Sequence, residues 1–215
     1  MHGRVIEWLE TLARRFARLA TRSVVARPRL WRLFRRPLRA QFNYLAPVWD
    51  ERRGPEALAS LAAVLDRLDP PPRRALDLGT GTGKAARLVA ERFPQCEVTG
   101  VDLSPRMIEE ARRLLPEDLP GRVRFDVADA SALPFPDEAF DLVVLLNMIP
   151  FFAEIGRVTA PGGAVVVASF SGPETPIYTP PTTLRDRLES LGFGGFEEVR
   201  AGEGDAFLAR RRKRG

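Results

Sequence analysis

The chain has 215 residues, 45% of them hydrophobic, with 33 Lys and Arg against 28 Asp and Glu and a net charge of +5. That length supports one substantial core and leaves little room for a second catalytic domain. One cysteine excludes an internal disulfide, and one cysteine with one histidine excludes a metal centre built from those residues, while a magnesium site of carboxylates stays open.

The first segment is a basic arm. Val5, Ile6, Leu9, Leu12, Phe16 and Leu19 lie near one stripe of a helix, and Arg14, Arg15, Arg18 and Arg22 fall mostly elsewhere. A second segment sets Leu30, Trp31, Leu33, Phe34 and Leu38 among Arg27, Arg29, Arg32, Arg35, Arg36 and Arg39. Eleven arginines up to Arg39 face only Glu7 and Glu10, so the remainder of the chain is acidic on balance. Three readings compete for residues 1–39. With Trp8, Trp31 and Phe34 the arm suits the surface of an anionic membrane; its arginines suit nucleic-acid phosphates, the least supported of the three; or it packs on the core as a lid with solvated arginines. Arginines interrupt every apolar stretch before it reaches spanning length, and Arg14-Arg15 is followed by no export-type apolar region. The expected location is the cytoplasm, including the inner face of its membrane.

Glu56 to Leu68 reads as a helix, and Pro70-Pro71-Pro72 punctuates entry into a strand at Arg74 to Leu78. That strand runs into Gly79-Thr80-Gly81-Thr82-Gly83 and then into residues of helical spacing. Glycine accepts positive φ and has no side chain to hold a ligand off the backbone, while the amides opening the next helix favour a negative or polar ligand edge. A purely structural turn is the plainer reading. The dinucleotide fingerprint would want glycine where Lys84 stands, and the phosphate loop would want Ser or Thr at Ala85; both departures argue against pyrophosphate or triphosphate.

Cys96 to Val101 is the second strand, ending at Asp102, with Ser104-Pro105 opening a helix to Leu114. In a doubly wound fold a carboxylate at that tip faces ribose hydroxyls, although Asp102 also suits a helix-capping role. Val123 to Ala128 is the third strand; Asp129 after it is a candidate acceptor for a purine amine, with Ala130 offering its amide, or else a turn former. Phe140 to Leu146 has the continuous apolar character of a central parallel strand. Asn147 follows as a candidate on the substrate side or as a helix cap. Phe151 to Val158 reads as a short helix stopped by Ala160-Pro161-Gly162-Gly163, Ala164 to Phe170 as the fifth strand and Ser171 to Thr183 as a proline-rich linker. Tyr178 and Thr179 either line a substrate mouth or belong to a stiff surface linker. Leu184 to Leu191 is the last helix, and Gly195 to Val199 with Ala206 to Arg210 a closing antiparallel hairpin.

The blocks Leu76-Asp77-Leu78-Gly79-Thr80-Gly81-Thr82-Gly83, Val101-Asp102-Leu103-Ser104, Asp129 to Phe135, Phe140-Asp141-Leu142-Val143 and Pro161-Gly162-Gly163 resemble, in that order, the class I S-adenosylmethionine-dependent methyltransferases, in particular small quinone-methylating types. The resemblance spans about residues 40–210. It implies an α/β, doubly wound, Rossmann-like sheet of seven mostly parallel strands with an antiparallel C-terminal hairpin, divided into an arm and cofactor lid over 1–50 and the methyltransferase domain over 51–215. It implies S-adenosyl-L-methionine as cofactor, contacted by Asp77, Gly79, Thr80, Gly81, Gly83, Asp102, Leu103, Asp129, Ala130, Asn147 and Tyr44. Gln41 to Asp50 resembles the segment that closes over the cofactor, so Phe42, Tyr44 and Trp49 become covers for its sulfonium end, or else an apolar anchor for the arm. Asn147, Tyr44 and Asp50 are the candidates on the catalytic side, with structural roles as the alternative for each. The implied reaction moves a methyl group to an O, C or N atom of a small, lipid-like molecule. A cofactor-binding regulatory or membrane-associated protein without turnover, and an RNA methyltransferase, are the alternatives.

Overall fold

The computed structural model describes residues 2–50, 55–119 and 121–213, with the side chains of residues 2–10 and of Pro55 outside that description. The expectations placed on Val5, Ile6, Glu7, Trp8, Leu9 and Glu10 as side chains therefore lie outside the described residues. Two arm helices, α1 (His2–Ala26) and α2 (Trp31–Leu45), precede α3 (Ala59–Leu65). The alternating core follows: β1 (Arg74–Leu78), α4 (Lys84–Arg92), β2 (Glu97–Asp102), α5 (Pro105–Arg113), β3 (Val123–Val127), β4 (Phe140–Leu146), α6 (Phe152–Val158), β5 (Thr159–Ser169), α7 (Pro181–Glu189), β6 (Phe193–Ala201) and β7 (Gly204–Arg211).

All seven strands form one sheet in the order β3-β2-β1-β4-β5-β7-β6. Strands β1 to β5 pair in parallel, and β7 enters antiparallel between β5 and β6, closing the sheet as the C-terminal hairpin requires. Because β1 is flanked by β2 and β4, the chain leaves the sheet centre in opposite directions there, and a crevice opens beyond the carboxyl ends of those strands. The apolar residues of β4, Leu142 to Leu145, alternate between two hydrophobic clusters, one on each face. Neither face reaches water, which is why the strand reads as a continuous apolar run rather than an alternating one.

One expectation about boundaries changes. Pro161-Gly162-Gly163 does not end a helix before an independent strand; it lies within β5, where the pairing with β4 shifts register between Phe140 and Leu142. A Cβ on Gly163 would stand 2.8 Å from the Asp141 carbonyl oxygen, so the close approach of two strands, not a turn, demands that glycine. Cys96 is buried, and burial pushes its thiol up to about 11, as for an inert core residue.

The arm is part of this core. Helices α3, α4 and α5 cover one face of the sheet, while α6 and α7 cover only part of the other. The connection between β3 and β4 carries no helix, and Pro134 and Pro136 within it disfavour one. Ala20, Val24, Trp31 and Leu38 of the arm pack in the same cluster as Ala130, Leu133 and Phe140 and so cover that stretch. Trp31 meets Phe151 edge to face with ring centroids 5.1 Å apart.

Candidate active site

The glycine loop returns onto β2 immediately after β1: the N–H groups of Gly79 and Thr80 both donate to the Val101 carbonyl, at 2.8 and 2.9 Å. Gly79, Gly81 and Gly83 all have positive φ. At Gly79 a Cβ would meet the Met148 sulfur at 2.5 Å, so backbone and thioether share space only glycine leaves. At Gly81, with φ +55, a Cβ would approach only the Trp49 indole nitrogen at 3.6 Å, so its open side faces a crevice. The walls of that crevice, about 580 Å³ counting its mouth, include Phe42, Trp49, Gly79, Thr80, Gly81, Thr82, Asp102, Asn147 and Phe170.

Two carboxylates organise the loop. Asp77 Oδ2 accepts from Thr80 Oγ1 at 2.6 Å and from the Ala86 N–H at 3.0 Å, whereas its buried Oδ1 has no partner among the described residues. Asp102 accepts from the Gly81 N–H (2.9 Å) through Oδ2 and from the Ser104 N–H (2.8 Å) through Oδ1. Burial raises both carboxyls to about 6, against the hydrogen bonds that each receives. Ser104, not Asp102, caps α5: its Oγ accepts from the Met107 N–H at 3.1 Å. Asp102 is thereby left beside the loop, in the wall of the crevice.

Asn147 follows β4 at φ +51, a left-handed conformation that Asn tolerates better than most residues. Its side-chain oxygen accepts from the Phe170 N–H and its amide donates to Thr175 Oγ1, each at 2.9 Å. It does not cap a helix, since α6 begins at Phe152 with Phe151 at its N-cap.

The other expected residues sort by position. Thr80 and Gly79 join Gly81, Asp102 and Asn147 at the crevice, and Asp77 lies directly beneath. Gly83 occupies the N-cap of α4 against the Phe125 ring. Leu103 and Ala130 pack with the apolar cluster on the arm side of the sheet. Asp129 is engaged by the arm: its Oδ1 accepts from Trp31 Nε1 at 2.8 Å and from Ser131, and Arg35 stands 3.8 Å from its Oδ2. Asp50 Oδ1 accepts from Thr82 Oγ1 at 2.6 Å and pairs with Lys84 at 3.5 Å, so it ties the end of the arm to the glycine loop. Tyr44 is 84% exposed and is not brought to the crevice. Phe42 and Trp49 are, meeting edge to face at 5.6 Å. Phe170 carried no sequence signal for the site; it reaches the crevice from the end of β5, and only the fold reveals it.

The arrangement fits an adenosyl sulfonium compound by its own chemistry. A buried carboxylate oxygen without a partner awaits an ammonium or water donor, a backbone stripped of side chains admits close approach, and a second carboxylate sits at the adjoining strand tip. Residues 75–163 match the family described as "Methyltransferase domain". Over that stretch the chain is similar to class I methyltransferase domains. The cofactor that this similarity supports is S-adenosyl-L-methionine. Over 123 residues the chain is 46% identical to a malonyl-[acyl-carrier protein] O-methyltransferase of Halorhodospira halophila, a match covering 52% of this chain and 40% of that one. It is 47% identical over 113 residues to a demethylmenaquinone methyltransferase of Thermus thermophilus, covering 49% and 51%. The chain thus spans about half the length, or less, of these curated relatives. The fold matches a S-adenosylmethionine-dependent methyltransferase structure from Aquifex aeolicus with a TM-score of 0.65 at 17% identity, covering 77% of this chain and 97% of that one. Among the described residues no helix is long and apolar enough to cross a membrane, and no group of three or more His, Cys, Asp or Glu is placed to hold a metal ion.

Proposed function

We propose that the chain is a methyltransferase acting on a small, apolar-bodied acceptor held beneath the arm. The observation that carries this reading is a second cavity, about 840 Å³ counting its mouth, walled by Ala13, Arg14 and Ala17 of α1, by Gln41, Phe42 and Leu45 of α2, and by Val48, Trp49, Asn147, Thr175, Pro176 and Ile177. It shares Phe42, Trp49 and Asn147 with the crevice at the glycine loop, so molecules in the two spaces would meet across three side chains.

When bound, the cofactor supplies an electrophilic methyl group on a sulfonium. The chain contributes position and the exclusion of water, which together account for much of the acceleration of such an in-line displacement. Phe42 and Trp49 offer aromatic faces to a cation. Asn147 is fixed by Phe170 and Thr175 and so presents an amide of defined orientation at the junction of the two spaces. Asp102 is the one carboxylate among the described residues walling either cavity, and two backbone N–H groups already hold it. Those walls include no His, Cys, Tyr or Glu. Proton removal by this chain is therefore not part of the reading. The acceptor brings an oxygen already ionised, a nucleophilic carbon or a free amine.

The activity of one similar protein, on demethylmenaquinone, supports an acceptor of this kind. Leu12, Leu19 and Leu33 are exposed among the arm's arginines and support peripheral contact with an anionic membrane as a companion reading. A cofactor binder without turnover is favoured by one feature, the lack of a His, Cys, Tyr or Glu among the described residues in the walls of either space. Incubation of the purified chain with methyl-labelled cofactor and cell extract, followed by mass identification of products, tests the proposal. Labelled small molecules are the expected result; equilibrium cofactor binding with no labelled product would leave only the non-catalytic reading.

A further inference from the structure

The second cavity continues outward. A groove of about 1110 Å³, counting its open side, shares Thr175 and Pro176 with it and runs between the second half of α1 and the start of α7. Arg18 and Arg22 of α1 and Arg187 of α7 line this groove, with the hydroxyl-bearing Thr21, Thr175, Tyr178, Thr179 and Thr183, and no carboxylate lies among its walls. Arg14, Arg18 and Arg22 recur every four residues, which sets them along one side of α1. The first lines the inner cavity and the other two the outer groove.

Like charges at this spacing repel one another and weaken the helix. Several are nevertheless held in place by carbonyl oxygens rather than by carboxylates. Arg14 and Arg18 donate to the Glu174 carbonyl at 3.1 and 3.4 Å, and Arg187 donates to the Val25 carbonyl at 3.1 Å while lying over the Phe152 ring. A guanidinium anchored through a neutral acceptor keeps its full charge and its remaining donors for an anion.

We propose that this groove is an anion subsite for the methyl acceptor: the acceptor is an amphiphile whose apolar body fills the inner cavity and whose carboxylate or phosphate group is held by Arg18, Arg22 and Arg187. The inference rests on the acceptor cavity proposed above. It extends that reading by giving the substrate a second, charged end.

Titration calorimetry of the full chain with three ligands of equal tail length, decyl phosphate, sodium decanoate and decanol, tests it. Both anions should bind at least tenfold more tightly than decanol, and the advantage should shrink as salt is raised. Whichever anion binds more tightly identifies the group. In the triple variant R18Q/R22Q/R187Q the advantage should fall below about threefold, while S-adenosylmethionine binding, measured in the same preparation, stays unchanged. Equal binding of the three ligands by the unaltered chain, or an anion preference that survives in the triple variant, would overturn the proposal. Should the triple variant fold poorly, the single variant Arg22→Glu applies the same test, with reversal of the preference expected and its retention overturning the proposal. Loss of cofactor binding by the unaltered chain would instead strike the methyltransferase reading and leave the anion result standing.

Discussion

Trp31 Nε1 donates to Asp129 Oδ1 across 98 residues of sequence, at 2.8 Å. The indole is buried against Phe151, so the arm places a bicyclic N–H donor on the carboxylate assigned, on the family resemblance, to the amine of adenine. On that assignment the arm and the cofactor compete for one oxygen. Trp31→Phe keeps the ring and removes the donor. Cofactor affinity should rise by about fivefold, the equivalent of one ordinary hydrogen bond of about 1 kcal/mol, while the free protein loses a similar amount of stability. Calorimetry showing weaker or unchanged cofactor binding would remove Asp129 from the adenine site or make Trp31 its support.

Asp102→Ala removes the carboxylate at the β2 tip and also the acceptor for the Gly81 and Ser104 N–H groups. Cofactor binding should weaken by about 1–3 kcal/mol, about 5- to 150-fold, with a smaller loss of thermal stability. An affinity equal to that of the unaltered protein would sink the ribose assignment.

Gly81→Val combines a positive φ with a branched side chain directed at Trp49. The backbone strain should cost about 1–3 kcal/mol of stability. The added methyl groups should abolish cofactor saturation in a protein that still shows native circular dichroism. Saturation at ordinary cofactor concentration would move the ligand away from this side of the loop.

Asp77 and Asp102 titrate near 6 rather than at the ordinary 3.8, because burial disfavours their charged forms. Raised values mean that the folded chain holds more protons than the unfolded chain between those limits. The stability these two groups contribute is therefore greatest at low pH and declines as pH rises from about 4 to about 6. A cofactor that donates to the ionised carboxylates follows the opposite trend. The rise in melting temperature on adding S-adenosylmethionine should be larger at pH about 7.5 than at pH about 5, and a larger rise at the lower pH would contradict the placement of both carboxylates.

Most of the sheet could be read from composition and spacing because its strands are short apolar runs ended by glycine or aspartate. Strands β1, β3 and β4 begin where the apolar pattern begins. Strand β5 starts earlier than its apolar run, since Pro161-Gly162-Gly163 has the composition of a turn and only the β4 partner reveals that it is bulged strand. In the site, Asp77, Gly79, Gly81, Asp102 and Asn147 were legible because strand tips collect there by topology. Tyr44 was not, for a reason of helix geometry. It stands two residues after Phe42 on α2, about 200° around the axis, so the helix that turns Phe42 to the crevice turns Tyr44 to water. Asp50, expected on the catalytic side, has Thr82 and Lys84 of the loop as its partners. The hold of Trp31 on Asp129 has no local signal, because amphipathicity shows that a helix buries a face without showing against what.

The helix-free passage from β3 to β4 has a consequence for how the polypeptide survives. A stretch more than ninety residues earlier roofs that part of the sheet, with Val24, Trp31 and Leu38 over Ala130 and Leu133. Cleavage near residue 40 would uncover an oily trench, and the trimmed product should self-associate in light scattering at concentrations where the intact chain stays dispersed. The basic beginning of this sequence is thus no detachable accessory: whatever surface it also touches, it must first serve as masonry.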